Sequence, residues 1–334
     1  MEDLFADAVE RLFSAQATPA RIRAAEAGGP VSDVWEEIHQ SGFADALVGE
    51  DIGGAGLGLQ DVFGVLLACG HHALPLPLGM TMLVKAALAH EGKTSPGGPM
   101  TIAPTSHRQA DGRLVCRRVP FGMVAEWAVV LVGADWQLLS VKEAVTSQSA
   151  HGSLEADLIW SSTDLATHLS AVIDWQAAAA AILAVLSAGA MDRILSMTIE
   201  HANQRTQFGK PIGKLQAIQQ QISIMAEQVY AVRMAAQMGV ATSGFTPERF
   251  QAAMAKARTG EATGVVASIA HAVHGAMGVT EECDLQLFTR RIHEWRSSFG
   301  SESYWYGEIG SAYMASDTAS SLEFIRDRLS PQAA

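Results

Sequence analysis

The chain has 334 residues, 49% of them hydrophobic, and a formal net charge of −12, enough to bury one large core or about two to three smaller ones. Its acidic residues are spread along the chain and not gathered in a run, which excludes nucleic acid and anionic membrane as expected partners. Cys69, Cys116 and Cys283 are far apart, with no CxxC or Cys/His ligand spacing, so neither a disulfide framework nor a zinc site is expected.

The opening "MEDLFADAVERLF" carries acids where a secretory signal carries positive charge, and with the cysteine usage this predicts a reducing, cytoplasmic location. Apolar residues then recur at helical spacing: Ala8 and Leu12, Val34, Ile38 and Phe43, Val62, Val65 and Leu66. The run Gly53, Gly54, Gly56, Gly58 interrupts them. It lacks the Lys-Ser/Thr of a phosphate loop, and Leu59 stands where GxGxxG needs glycine, so a flexible turn before a helix at 60 is expected. His71 and His72 show no metal-ligand spacing and are expected as loop or surface residues. Prolines and glycines confine helix between 75 and 105 to "GMTMLVKAALAHEG".

From 99 to 160 the texture changes to short β-branched runs: "MTIAP", "RLVCRRV", "AEWAVVLV", "WQLLSV" and "ADLIW". After Asp174 the pattern predicts helices over 174–203, 214–242, 247–273, 281–293 and 301–329. The first begins with "WQAAAAAILAVLSAGAM", closely flanked by Asp174 and Asp192, which fits a buried core helix better than a membrane span. The fold class is therefore mainly α with a small β domain, divided into segments 1–95, 96–165 and 170–334. No GxSxG elbow or Ser/Lys pair at catalytic spacing points to a hydrolase.

Between the first two long helices stands "RTQFGKPIG". Arg205 lies at or just past a helix end, and Gly209-Lys210-Pro211 stops propagation before "KLQAIQQQ" restarts it. Two readings follow from these residues. The corner is a helix-to-helix turn with Phe208 as its plug, or it presents an arginine fork, the Gln207 amide and an aromatic surface to a phosphorylated, ring-bearing cofactor.

"RTQFGKPIGKLQAIQQQISIMAEQVYAVRMA" resembles the Arg-x-x-Phe-Gly-Lys-Pro-Ile…Gln-x-Ile-Gln corner of acyl-CoA dehydrogenases. "HGAMGVTEECDLQLFTRRI" resembles their second fingerprint, and "GEDIGGAGLGLQDV" their N-terminal glycine turn. The resemblance spans nearly the whole chain in the right order. It implies an N-terminal helical domain, a shortened middle β domain and a C-terminal four-helix bundle. It implies FAD as cofactor, an acyl-CoA substrate and an electron-transfer flavoprotein as acceptor. The residues it implies at the FAD are Arg205, Gln207, Phe208, Gln216, Gly275 and Ala276, touching a flavin held mainly by a neighbouring subunit.

The family's catalytic glutamate position falls on Phe299, followed by the expected Gly300. A phenyl ring takes no proton. The alternative position on the first bundle helix reads "QAAAAAI", and Glu302 stands three residues late. Ala276 replaces a fingerprint glycine and Ala272 a glutamine common in the family, while "TIAPTSH" and "RRVPFGMVAEW" replace the strands that face flavin and substrate. The resemblance thus implies a subunit completing the site of a full-length acyl-CoA dehydrogenase partner, of the heteromeric type acting on bulky or steroid side-chain CoA thioesters. The alternatives are a self-sufficient dehydrogenase using Glu302 and a non-enzymatic structural descendant.

Overall fold

A computed structural model of the chain describes residues 2–163, 166–170 and 173–329; the expected segment bound at 165 and the extreme ends of the first and last segments, residues 1 and 330–334, lie outside these. Five helices come first: α1 (Glu2–Gln16), α2 (Pro19–Glu26), α3 (Ser32–Gln40), α4 (Phe63–His71) and α5 (Leu78–His90). The glycine run is not a free turn. Gly53 closes a 3-10 turn at φ 91°, and Gly58 abuts the backbone of Ser243 so closely that a Cβ would overlap it. The amides of Leu59 and Gln60 donate to the carbonyls of Gly244 and Thr242, and the Gly58 amide to Asp61 at 2.8 Å. Those donors are spent on the fold, so none is left to cradle a phosphate.

The β region holds two four-stranded sheets. Its strands are β1 (Met100–Ile102), β2 (His107–Arg108), β3 (Leu114–Val119), β4 (Trp127–Val132), β5 (Asp135–Ser140), β6 (Ala144–Gln148), β7 (Ala156–Trp160) and β8 (Thr167–Leu169). One sheet runs β1-β4-β5-β8, with β1 parallel to β4, and the other β2-β3-β7-β6. In β4 and β5, Val129 and Leu138 enter the large core shared with the helices, while Val130 and Leu139 enter a second core between the sheets. The two-residue side-chain period thus buries the first sheet on both faces. β2, β6 and β8 escaped the sequence reading because they are short, polar and mostly exposed.

The remainder is helical: α6 (Trp175–Gln204), the two-residue strands β9 (Thr206–Gln207) and β10 (Lys210–Pro211), α7 (Gln216–Gly239), α8 (Arg249–His274), α9 (Leu285–Ser297), α10 (Glu302–Met314) and α11 (Ser321–Leu329). Asp174 caps α6, accepting from the Ala177 amide at 3.0 Å. The most apolar window of α6 is 89% buried inside the protein, the packing of a core helix. Its alanines let neighbours approach closely, and Gly70 on α4 meets Leu186 while Gly189 meets Leu67, contacts that any Cβ would break. The single helix expected over 301–329 is two. Ser320 starts a new one as its N-cap, accepting from the Glu323 amide, while the Glu323 carboxylate accepts from the Ala319 amide one residue before the cap.

Candidate functional site

Arg205 leaves α6 in an extended conformation (φ −70°, ψ 118°). The chain then makes a two-residue hairpin in which Gln207 pairs with Lys210 and Thr206 with Pro211. Phe208 (φ 53°) and Gly209 (φ 76°) occupy its tip, the two positive φ angles of a type I′ turn. The Ile212 amide donates back to the Arg205 carbonyl at 2.9 Å, and α7 starts at Gln216. Phe208 does not plug the corner: its side chain is 87% exposed. Ile212 does that work, buried with Ala202 and Val273 and flanked by Leu215, Ile218 and Ile269. The tip of a two-residue hairpin points away from the helices it joins, which is why the expectation of an aromatic plug fails.

A bulky aromatic at an exposed αL position costs about 1–2 kcal/mol in backbone strain and gains no burial. Both penalties fall on one residue. Arg205, Gln207 and Gln216 are exposed beside it, and among the described residues no carboxylate pairs with Arg205. The second fingerprint lies alongside. α8 ends at His274, and Gly275 turns the chain at φ 62°, ψ −145°, a conformation that requires glycine. Ala276 is exposed. The His201 ring, near the end of α6, stacks on His274 with centroids 4.4 Å apart and planes at 24°. The structure therefore brings the six sequence-predicted corner residues to one end of the bundle.

Phe299 is elsewhere, in a cleft between the β region and the bundle. The cleft has a volume of about 290 Å³ and includes Thr105, Arg118, Gln176, Ser298 and Phe299 in its lining. Phe299 is 4% exposed and, with φ 57°, precedes Gly300 at φ 102°. The turn is held from below. Lys256, 2% exposed, donates to the carbonyls of Trp295 (2.7 Å), Arg296 (2.8 Å) and Gly300 (3.1 Å), and the Trp305 indole donates to the Phe299 carbonyl at 3.1 Å. Burial pushes the Lys256 amine down to about 7, with Glu302 opposing.

Glu302 begins α10 and accepts from Arg296 Nε at 3.0 Å and from a second guanidinium nitrogen. That fork holds its carboxyl down at about 2, a poor setting for a proton acceptor. Residues 177–182 of α6 are buried and carry no acid.

The sequence reading missed a carboxylate pair behind this cleft, Glu155 buried and Glu294 half-buried. A bulge in β3 between Cys116 and Val119 puts Arg118 at φ 50° and re-aims its side chain towards the bundle. Arg118 Nε donates to Glu155 at 3.1 Å, and Ser298 Oγ, on the cleft wall, donates to Glu155 at 3.2 Å. Burial raises the Glu155 carboxyl above its usual range. Burial first, and then the Glu155 charge, push Glu294 up to about 7, against Ser153, Arg291 and Arg290. The bulge had no sequence signal beyond the paired arginines of "CRRV". Outside the cleft, His71 and His72 pair with Asp192 and Glu10 at 3.0 and 2.9 Å, and no metal-binding cluster occurs among the described residues.

Residues 175–309 match the family model for the acyl-CoA dehydrogenase C-terminal domain. The chain is 30% identical over 295 residues to the acyl-CoA dehydrogenase IpdE2 of Mycobacterium tuberculosis, covering 86% of this chain and 89% of the relative. To IpdE2 of Mycolicibacterium smegmatis it is 28% identical over 305 residues, covering 87% and 92%. Among solved structures, the ChsE4-ChsE5 complex from Mycobacterium tuberculosis shares the fold with a TM-score of 0.79 at 21% identity, over 95% of this chain and 98% of the other. A variant of the Tcur3481-Tcur3483 steroid acyl-CoA dehydrogenase does so with a TM-score of 0.78 at 21% identity, over 92% and 96%. Relatedness of this degree over most of both chains means that the chain belongs to the acyl-CoA dehydrogenase family, whose members are FAD-dependent.

Proposed function

We propose that this chain is a subunit of a heteromeric, cytoplasmic acyl-CoA dehydrogenase, and that it completes an FAD site in a full-length partner subunit carrying the catalytic glutamate. FAD supplies the hydride acceptor when bound. The corner suits the dinucleotide half of that cofactor: Arg205 offers an exposed guanidinium with no carboxylate competing for it among the described residues, and Phe208 offers a flat exposed ring. Gln207, Gln216, Gly275 and Ala276 flank them, small or amide-bearing groups suited to hydrogen bonds with ribose and phosphate oxygens.

The observation that carries this reading is the contrast between two phenylalanines. Phe208 is strained and presented to solvent, while Phe299 is strained and buried where the family places its base. In this reading one half-site is kept and the other has lost its base. Three segments, 1–95, 96–165 and 170–334, would then serve as helical domain, shortened β domain and bundle. The steroid-type enzyme among the solved relatives supports a bulky or steroid side-chain acyl-CoA as the substrate, with an electron-transfer flavoprotein as the electron acceptor.

The test is expression with and without a full-length homologue whose glutamate is intact. The chain alone is expected to bind FAD poorly and to show no acyl-CoA oxidation with an artificial acceptor, and the pair to be yellow and active. Stoichiometric flavin and turnover in the isolated chain would overturn the proposal.

A further inference from the structure

The two fingerprint segments are joined by the stacked imidazoles of His201 and His274. His201 lies one turn before Arg205, on the same face of α6, and its carbonyl accepts from the Arg205 amide at 2.9 Å. His274 uses Nδ1 on the Ala270 carbonyl at 2.8 Å, which fixes its tautomer and leaves Nε2 without a proton while the ring is neutral. Among the described residues neither ring has a carboxylate partner, unlike His71 and His72.

Among the described residues the charges that act on the two rings are cationic, while the neighbouring carboxylate, Glu200, is exposed and accepts from Gln204. Arg205 acts on His201 from its own helix, and His271 acts on His274 from α8. His271 itself bonds Thr289 of α9 at 3.1 Å and faces His293. The 212–222 segment packs Ile212, Leu215, Ile218 and Ile222 in or against the apolar cluster of Ala202 and Val273, and its one charged residue, Lys214, is exposed. Burial and these neighbours hold both rings below the usual histidine value. Two helix C-termini, of α6 and α8, converge on the same point, and their carbonyl ends favour a positive charge there. The pair lacks one thing for protonation, a counter-anion.

We propose that the His201–His274 stack is a proton-linked part of the anion site at Arg205, taking up a proton when a dinucleotide diphosphate binds. This rests on the reading that Arg205 receives the FAD pyrophosphate. The sign follows from linkage: the ligand raises a depressed pKa, so affinity is greatest below the free-state value and declines as pH rises through the bound-state value.

The experiment uses the heteromeric complex stripped of flavin and titrated with FAD. Wild type is expected to bind about three- to tenfold more tightly near pH 6 than near pH 8, and calorimetry in buffers of different ionisation enthalpy should report net proton uptake. His201→Phe keeps an aromatic ring on His274 and should flatten the pH profile and abolish the uptake; His201→Gln should do the same if the phenyl ring disturbs packing. Absence of proton uptake in wild type, which needs no variant, overturns the inference. If Arg205→Ala weakens FAD binding while both His201 variants keep wild-type uptake, only the inference fails. If Arg205→Ala leaves FAD binding unchanged, the pyrophosphate reading itself fails.

Discussion

Arg296 closes on Glu302 across the turn that carries Phe299, donating from Nε at 3.0 Å. The contact ties the end of α9 to the start of α10 and leaves the carboxylate with little basicity. Glu302→Gln should therefore lower turnover of the assembled enzyme far less than the roughly 10²–10⁴-fold expected on losing a general base. Steady-state rates at matched flavin content decide it, and a collapse within that range would make Glu302 the base.

Arg205→Ala should weaken FAD binding to the complex by roughly ten- to a hundredfold, the worth of a charge-assisted contact of about 1.5–3 kcal/mol. Arg205→Lys should recover only part, since an ammonium keeps the charge without the planar fork. Flavin titration of both variants against wild type reads the effect directly.

Phe208→Asn separates strain from function. Asn-Gly is the favoured pair for a type I′ turn, so the variant should melt at or above the wild-type temperature. Its FAD affinity should nevertheless fall, because the exposed ring is lost. Unchanged affinity alongside a raised melting temperature would make Phe208 a mere surface residue.

Burial and the Glu155 charge push the Glu294 carboxyl up to about 7 from an ordinary 4.5. Its folded value is raised, so its contribution to stability is complete below about 4.5 and is lost as pH rises through about 7. Relative to wild type, Glu294→Gln should flatten the fall in melting temperature between about pH 5 and pH 8. Parallel melting curves for the two proteins across that window would show that the carboxyl does not hold a proton there.

Removing the Lys256 amine would leave three inward-facing carbonyls without donors, at about 1–3 kcal/mol for each one that stays unsatisfied. Lys256→Met should lower stability by several kcal/mol on that scale and speed amide exchange in residues 296–300. Exchange unchanged in that turn would show that Trp305 and Ser298 suffice to hold it.

Much of this fold was readable from the order and texture of its apolar runs. The α6 alanine run declared itself as an unbroken apolar stretch, which the structure buries almost all round, and the five strongest β runs as short β-branched segments bounded by turn residues. What stayed hidden depends on contacts far apart in sequence. Glu155 meets Ser298 and Arg118 only through the β3 bulge, and nothing local to "SLEADL" says that its glutamate is buried. The break in the last helix is legible in the Ser-Asp-Thr-Ala-Ser-Ser run at 316–321, whose side chains compete with helix, and in Ser320-x-x-Glu323. At the corner the residue types were readable while the direction of Phe208 was not, since hairpin geometry decides which residue faces out.

Lys256 and His274 both lie on α8, about eighteen residues or five full turns apart, so they share one face of the helix some 27 Å from end to end. One secondary-structure element therefore sets both the spacing and the rotational phase between the Phe299 turn and the Arg205 corner. α8 acts as an axle. A single inserted residue between these two positions would rotate one end by about 100° relative to the other, so either the carbonyl clamp or the imidazole stack would have to let go. Substitutions along that face are tolerable only if they preserve length, and length variation among such subunits is expected in the loops on either side and not within this helix.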